Sequence, residues 1–128
     1  SPVARGVLTG KYLPGQPPAE GSRAARGDRR IAQTEWRAES LEIAQTLHKQ
    51  VCERGVTLAQ FATAWVLAHR AVDSVIAGPR TLAQWQDYAP ALGYALTEED
   101  EALVDSLVAP GHPSTPGYTD PAYPLDGR

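Results

Sequence analysis

Two strand-like runs constrain this chain most tightly. Ser74-Val75-Ile76-Ala77 is short, β-branched and closed by Gly78, the pattern of a strand buried on both faces. One other candidate exists, at Ser1-Pro2-Val3-Ala4. Two short strands do not make a stable sheet. Their separation is too long for a hairpin and accommodates a crossover containing two helices. Strand, long loop, helices, strand, helix is the cadence of an α/β protein. The 128 residues would suffice for one ordinary domain, but two strands do not complete one. The missing strands are therefore expected from a longer chain or a partner.

The stretch between the strands reads as helical. Leu41, Ala44, Leu47, Val51 and Cys52 recur at 3–4 spacing, which predicts an amphipathic helix over Trp36–Arg54 with Gly55 as its stop. Thr57-Leu58-Ala59-Gln60 is a capping-box pattern. It opens a helix over Leu58–His69 that is apolar nearly all round and expects burial on most sides. Thr81 can cap a helix over Leu82–Leu92, with Leu82, Trp85 and Ala89 along one face. Thr97 caps a last helix through Val108, with acids in its first turn. Residues 13–33 show no convincing period and read as a loop. Residues 1–108 form one unit, and 109–128, with five of the eleven prolines, form a Pro-rich tail.

Charge divides the same way. Residues 1–33 carry six Lys/Arg and two acids, while 34–108 carry five and eleven. The net charge of −3 argues against a general nucleic-acid binder. A single cysteine excludes an internal disulfide framework and points to a reducing, cytoplasmic setting. No apolar run reaches the roughly 18 residues of a membrane helix. His48, His69 and His112 lack metal-ligand spacing. Cys52 is expected to pack, as are Trp36, Trp65 and Trp85. Arg26, Arg29 and Arg30 read as a solvated mobile loop.

Ser1-Pro2-Val3-Ala4-Arg5-Gly6-Val7-Leu8-Thr9-Gly10-Lys11-Tyr12 resembles the seventh-strand segment of aldo-keto reductases. It is most similar to the branch with the bacterial reductases and potassium-channel β-subunits. Gly55–Ala62 and Ala64-Trp65-Val66-Leu67 resemble that family's seventh barrel helix. Ser74–Thr81, with Gln84 and Asp87 behind it, resembles the eighth strand and the cofactor helix. The resemblance implies the C-terminal part of a (β/α)8 barrel, mostly helical as an isolated chain. It implies NADP(H) as cofactor, a small aldehyde or ketone as substrate, and the remainder of the barrel upstream of Ser1. The family's Asp, Tyr, Lys and His tetrad lies on earlier strands, so no catalytic residue is assigned here. The isolated chain is expected to be inactive.

Gly78-Pro79-Arg80-Thr81 leads from a strand into a helix start, where backbone N–H groups and the helix dipole favour an anion. Arg80 adds a fork suited to phosphate. The resemblance implies that this segment holds the adenosine 2′-phosphate, with Gln84 and Asp87 on the adenosine. Tyr88 stands where the family commonly has an adenine-binding Asn. Ser1, Pro2, Val3, Ala4 and Arg5 match the stretch beneath the pyrophosphate and ribose. Lys11 matches a lysine that approaches the phosphates, and Arg23 an arginine on a loop folding over the cofactor. Tyr118, Tyr123 and His112 of the tail are placed near the substrate by position alone.

Two other classes compete. A non-enzymatic interaction module could use the same scaffold, docking through exposed strand edges. A helix-turn-helix DNA binder would need cations on its recognition helix, yet Leu82–Leu92 has none and carries Asp87.

Overall fold

The computed structural model describes residues 1–123. A 3₁₀ segment over Ala4–Thr9 is followed by α1 (Arg29–Thr34), α2 (Ala38–Cys52) and α3 (Leu58–Ala68). Then come α4 (Leu82–Tyr88), a second 3₁₀ segment (Ala89–Gly93) and α5 (Glu98–Leu107). No helix among the described residues is long and apolar enough to cross a membrane.

Both expected strands are absent among the described residues. Residues 74–79 run without a ladder partner, and Ile76 is 92% exposed. A strand is defined by hydrogen bonds to its neighbours, and none lies beside this run. At the front, Ala4, Arg5 and Gly6 all take positive φ (46°, 52° and 102°), so the chain coils where extension was expected. Ala4 and Arg5 hold a conformation that L side chains rarely adopt. The mostly helical character agrees with the expectation.

Local chemistry accounts for the helices. Thr57 Oγ1 accepts from Gln60 N–H, while Gln60 Oε1 accepts from Thr57 N–H. Thr97 and Asp100 form the same reciprocal box at the start of α5. Thr81 Oγ1 accepts from Gln84 N–H at 3.2 Å to open α4. That helix stops at Tyr88 rather than reaching Leu92, since Pro90 has no N–H to continue the ladder. The loop expected over 13–33 contains α1, started by Asp28, whose carboxylate accepts from Ile31 N–H at 3.0 Å. That bond holds the Asp28 pKa below the usual carboxylate range.

The core sits between α2, α3 and the first 3₁₀ segment. Val7, Tyr12, Ile31, Leu41, Ala44, Leu47, Val51, Leu58 and Phe61 are buried together. Cys52 corrects an expectation: it is exposed, with Sγ 3.3 Å from His48 Nδ1. Gly10, at φ 76°, lets the backbone approach the His48 ring; a Cβ there would lie 2.6 Å from it. Gln45 Nε2 donates to Gly10 O and Tyr12 O, both at 2.8 Å, tying the front loop to α2. Trp36 packs edge-on against Tyr12, centroids 5.0 Å apart. Trp85 does not pack as expected and is 54% exposed. As expected, α3 is buried on most sides over Leu58–Ala64, but the burial fades toward its end, where Trp65, Val66 and Leu67 are partly exposed.

The start of α5 is fixed by one buried acid. Asp100 receives Arg54 Nη1 at 2.5 Å, Tyr94 Oη at 2.9 Å and Thr97 N–H at 3.0 Å. Burial pushes its pKa up, but these donors more than offset that and hold it below the usual range. The tail to residue 123 folds back on α1 and α2. Arg30 is not a free loop cation: its Nη2 meets Asp120 at 2.6 Å.

Candidate functional site

Two cavities flank the Ala4–Thr9 segment. The polar one, about 180 Å³, is lined by four parts of the chain. Ser1, Pro2, Val3, Arg5 and Lys11 come from the front. Arg23 comes from the basic loop, and Gly78, Arg80, Gln84, Asp87 and Tyr88 come from the segment around α4. These are the residues expected from sequence, save Ala4, which lines the other cavity. Gly6, Thr9 and Ala59 also line the polar cavity and were not anticipated. Gly6 and Thr9 lie within the front motif itself, and Ala59 is set by the start of α3.

Four cations and one acid surround this space: Arg5, Lys11, Arg23 and Arg80 against Asp87. An excess of positive charge in a concave site favours a polyanion. The cations are not equally available. Arg5 Nη1 pairs with the Glu35 carboxylate and donates to Thr34 Oγ1 at 3.2 Å, so it leans toward α1. Arg23 makes an exposed pair with Asp28 at 3.3 Å. Lys11 Nζ lies 5.1 Å from the Tyr12 ring centroid and passes close over Gly6, where a Cβ would sit 3.0 Å from it. Arg80 is exposed and has no carboxylate within 4 Å among the described residues. Lys11 and Arg80 are thus the cations with least competition.

The helix start at Thr81 is less open than its sequence suggested. Arg80 N–H donates to Gln84 Oε1 at 2.7 Å, and Gln84 N–H goes to Thr81. The Arg80 side chain, rather than these amides, remains for an anion. Asp87 accepts from Thr57 Oγ1 at 2.7 Å and from Gln60 Nε2 at 3.5 Å, which docks α4 onto the start of α3. Tyr88 is partly buried; burial first, and then the neighbouring Asp87 charge, push its pKa up. It therefore stays a neutral donor at the cavity wall. No cluster of His, Cys, Asp or Glu able to hold a metal occurs among the described residues.

Residues 1–109 match the family model described as the aldo/keto reductase family. The chain belongs to that family, whose fold is a (β/α)8 barrel and whose members generally use NAD(P)H. It is 33% identical over 118 residues to "L-glyceraldehyde 3-phosphate reductase" of Escherichia coli O157:H7, covering 87% of this chain and 33% of that protein. It is 35% and 37% identical, each over 112 residues, to proteins named "Probable voltage-gated potassium channel subunit beta" from Oryza sativa subsp. japonica and Arabidopsis thaliana. Those matches cover 83% of this chain and 34% of each relative. The chain spans about a third of the length of these relatives.

Proposed function

We propose that this chain supplies the adenosine-phosphate end of an NADP(H) site in an aldo/keto reductase that acts on a small aldehyde or ketone. The supporting observation is the convergence of Lys11 with Arg80, Gln84 and Tyr88, which lie 69 to 77 residues further along the chain, on one polar, cation-rich cavity. NADP(H) supplies the hydride chemistry when bound. The residues of this chain bind and orient. Arg80 presents a planar fork to the 2′-phosphate, and Lys11 a point charge to the pyrophosphate. Gln84 and Tyr88 offer polar partners to the adenosine, while Asp87 holds α4 against α3 through Thr57. The strand-like segments at 1–4 and 74–77 are read as the seventh and eighth barrel strands. They become ladders only with neighbouring strands beside them. Carbonyl turnover belongs to the protein that contains the whole barrel.

Titration of NADPH and NADH against wild type and Arg80→Ala tests this. A charge-assisted hydrogen bond contributes about 1.5–3 kcal/mol, so NADPH affinity is expected to fall roughly tenfold to a hundredfold. NADH, lacking the 2′-phosphate, is expected to change little. Equal losses for both cofactors would overturn the role given to Arg80.

An interaction module on the same scaffold is the second reading. It is favoured by the exposed apolar row Leu82, Trp85 and Leu92. Recovery of a stoichiometric partner, lost in Trp85→Ala and unaffected by Arg80→Ala, would select it.

A further inference from the structure

Helix α1 is too short to hold itself. It has six residues, and isolated helices below about 12–15 residues are marginal in water. Ile31 and Thr34 are its buried anchors. Its polar fastenings form two sets.

One set joins α1 to two cations that line the polar cavity. The Asp28 carboxylate, which caps α1, pairs with Arg23, and Glu35, just past its end, pairs with Arg5. Thr34 reinforces the second pair: its Oγ1 accepts from Arg5 Nη1 at 3.2 Å and donates to Arg30 O at 2.5 Å. The other set joins α1 to the tail. Arg30 Nη2 meets Asp120 Oδ2 at 2.6 Å, and Gln33 O accepts from Tyr118 Oη at 2.9 Å. The Tyr118 ring in turn packs on the Arg37 guanidinium, with Cζ 3.9 Å from the ring centroid.

The acids that order α1 therefore occupy two of the four cavity cations. The Arg23–Asp28 pair is the weaker competitor, with side chains 43% and 30% exposed. The Arg5 and Glu35 side chains are 28% and 21% exposed, so that pair is less screened by water. Glu35 neutralises Arg5 where it stands, and a polyanion that draws on the Arg5 charge must compete with it. The tail contacts stabilise the same α1 geometry. What orders α1 at Arg30 and Gln33 also holds Thr34 and Glu35 against Arg5, because all four lie within two turns of one short helix and its cap.

We propose that the tail is a latch on the polar cavity: docked on α1 through Asp120 and Tyr118, it keeps Glu35 on Arg5 and withholds that cation from a phosphate polyanion. The latch rests on the reading of this cavity as an anion site and adds a sign to it. Tail docking and polyanion binding oppose each other, and by linkage each weakens the other by the same factor.

The test is a chemical-shift titration of the full chain with inorganic pyrophosphate at constant ionic strength. Glu35→Gln removes the competing charge and is expected to bind pyrophosphate about threefold to tenfold more tightly than wild type. Asp120→Asn and Tyr118→Ala loosen the tail from α1 and are expected to tighten binding at least about twofold. Deleting an acid strengthens anion binding at any nearby cation, so all three are repeated on an Arg5→Met background, where the gains should vanish. In wild type, pyrophosphate should move the Tyr118 and Gln33 signals toward their positions in Asp120→Asn. Unchanged affinity in Glu35→Gln or in both tail variants, gains that persist without Arg5, or a tail that stays docked at saturation would each overturn the latch. So would the absence of saturable pyrophosphate binding in every variant. The NADPH and NADH titrations of Arg80→Ala involve neither Arg5 nor the tail, so the cofactor reading and the latch fail separately.

Discussion

The helices α3 and α4 open with the same local chemistry and meet opposite fates. In α3, Leu58, Phe61 and Ala62 are buried against α2 and the front segment. In α4 no residue is buried; Leu82 is 70% and Trp85 54% exposed, and Leu92 just beyond is 82% exposed. Both begin with a threonine cap and a glutamine three residues later. A cap and a good local sequence therefore suffice to form a helix, but not to bury one. Burial depends on what lies opposite, and α2 lies opposite α3.

Truncation gives the largest expected contrast. Phe61→Ala should lower stability by about 3–5 kcal/mol, since a fully buried ring leaves a cavity. Trp85→Ala should cost about 1 kcal/mol or less, because its ring is mostly in solvent. Denaturant unfolding of the two variants measures this; equal losses would mean that α4 is as well packed as α3. Asp100→Asn comes next. It removes the charged partner of Arg54 and weakens the fastening of α5, at about 2–3 kcal/mol by the same measurement.

The smallest contrast concerns the caps. Thr57→Ala and Thr81→Ala each lose a capping bond of about 1 kcal/mol. The first should move the global unfolding midpoint. The second should leave it in place and raise only the hydrogen exchange of α4 amides, since α4 contributes little to the core. Acid sharpens the same division. Asp100, Asp28 and Asp120 all have folded pKa values below their ordinary ones. Such groups bind protons more readily in the unfolded chain, so their stabilisation is present above about pH 4 and lost as pH falls through the folded values. A pH series of unfolding midpoints should therefore drop below about pH 4, and Asp100→Asn should flatten that drop.

Features that depend on neighbours within one helical turn were legible in the sequence. The caps at Thr57, Thr81 and Thr97 formed as read, because a hydroxyl and an amide three residues on meet in any helix start. The cap at Asp28 obeys the same rule and was hidden by the Gly, Pro and Arg around it. The heptad-like apolar face of α2 identified Leu41, Ala44, Leu47 and Val51 as core; Cys52, one step round, fell outside. Membership of the aldo/keto reductase family was also legible, because its motifs are local strings in a fixed order.

The rest depends on residues far apart. Whether Ser74–Ala77 pairs as a strand depends on neighbours that its own side chains do not supply, and here it pairs with nothing described. That Arg30 and Arg37 clasp the tail, through Asp120 and through Ser114 with Thr115, could not be read from two arginines in a polar stretch. The sequence by itself determined where helices start and which family's motifs the chain carries. Tertiary structure decided which apolar faces are buried, which cations stay free and where the two cavities open. The physical reason is reach: capping and periodicity act over three or four residues, whereas burial and charge pairing act through space between segments that only folding brings together.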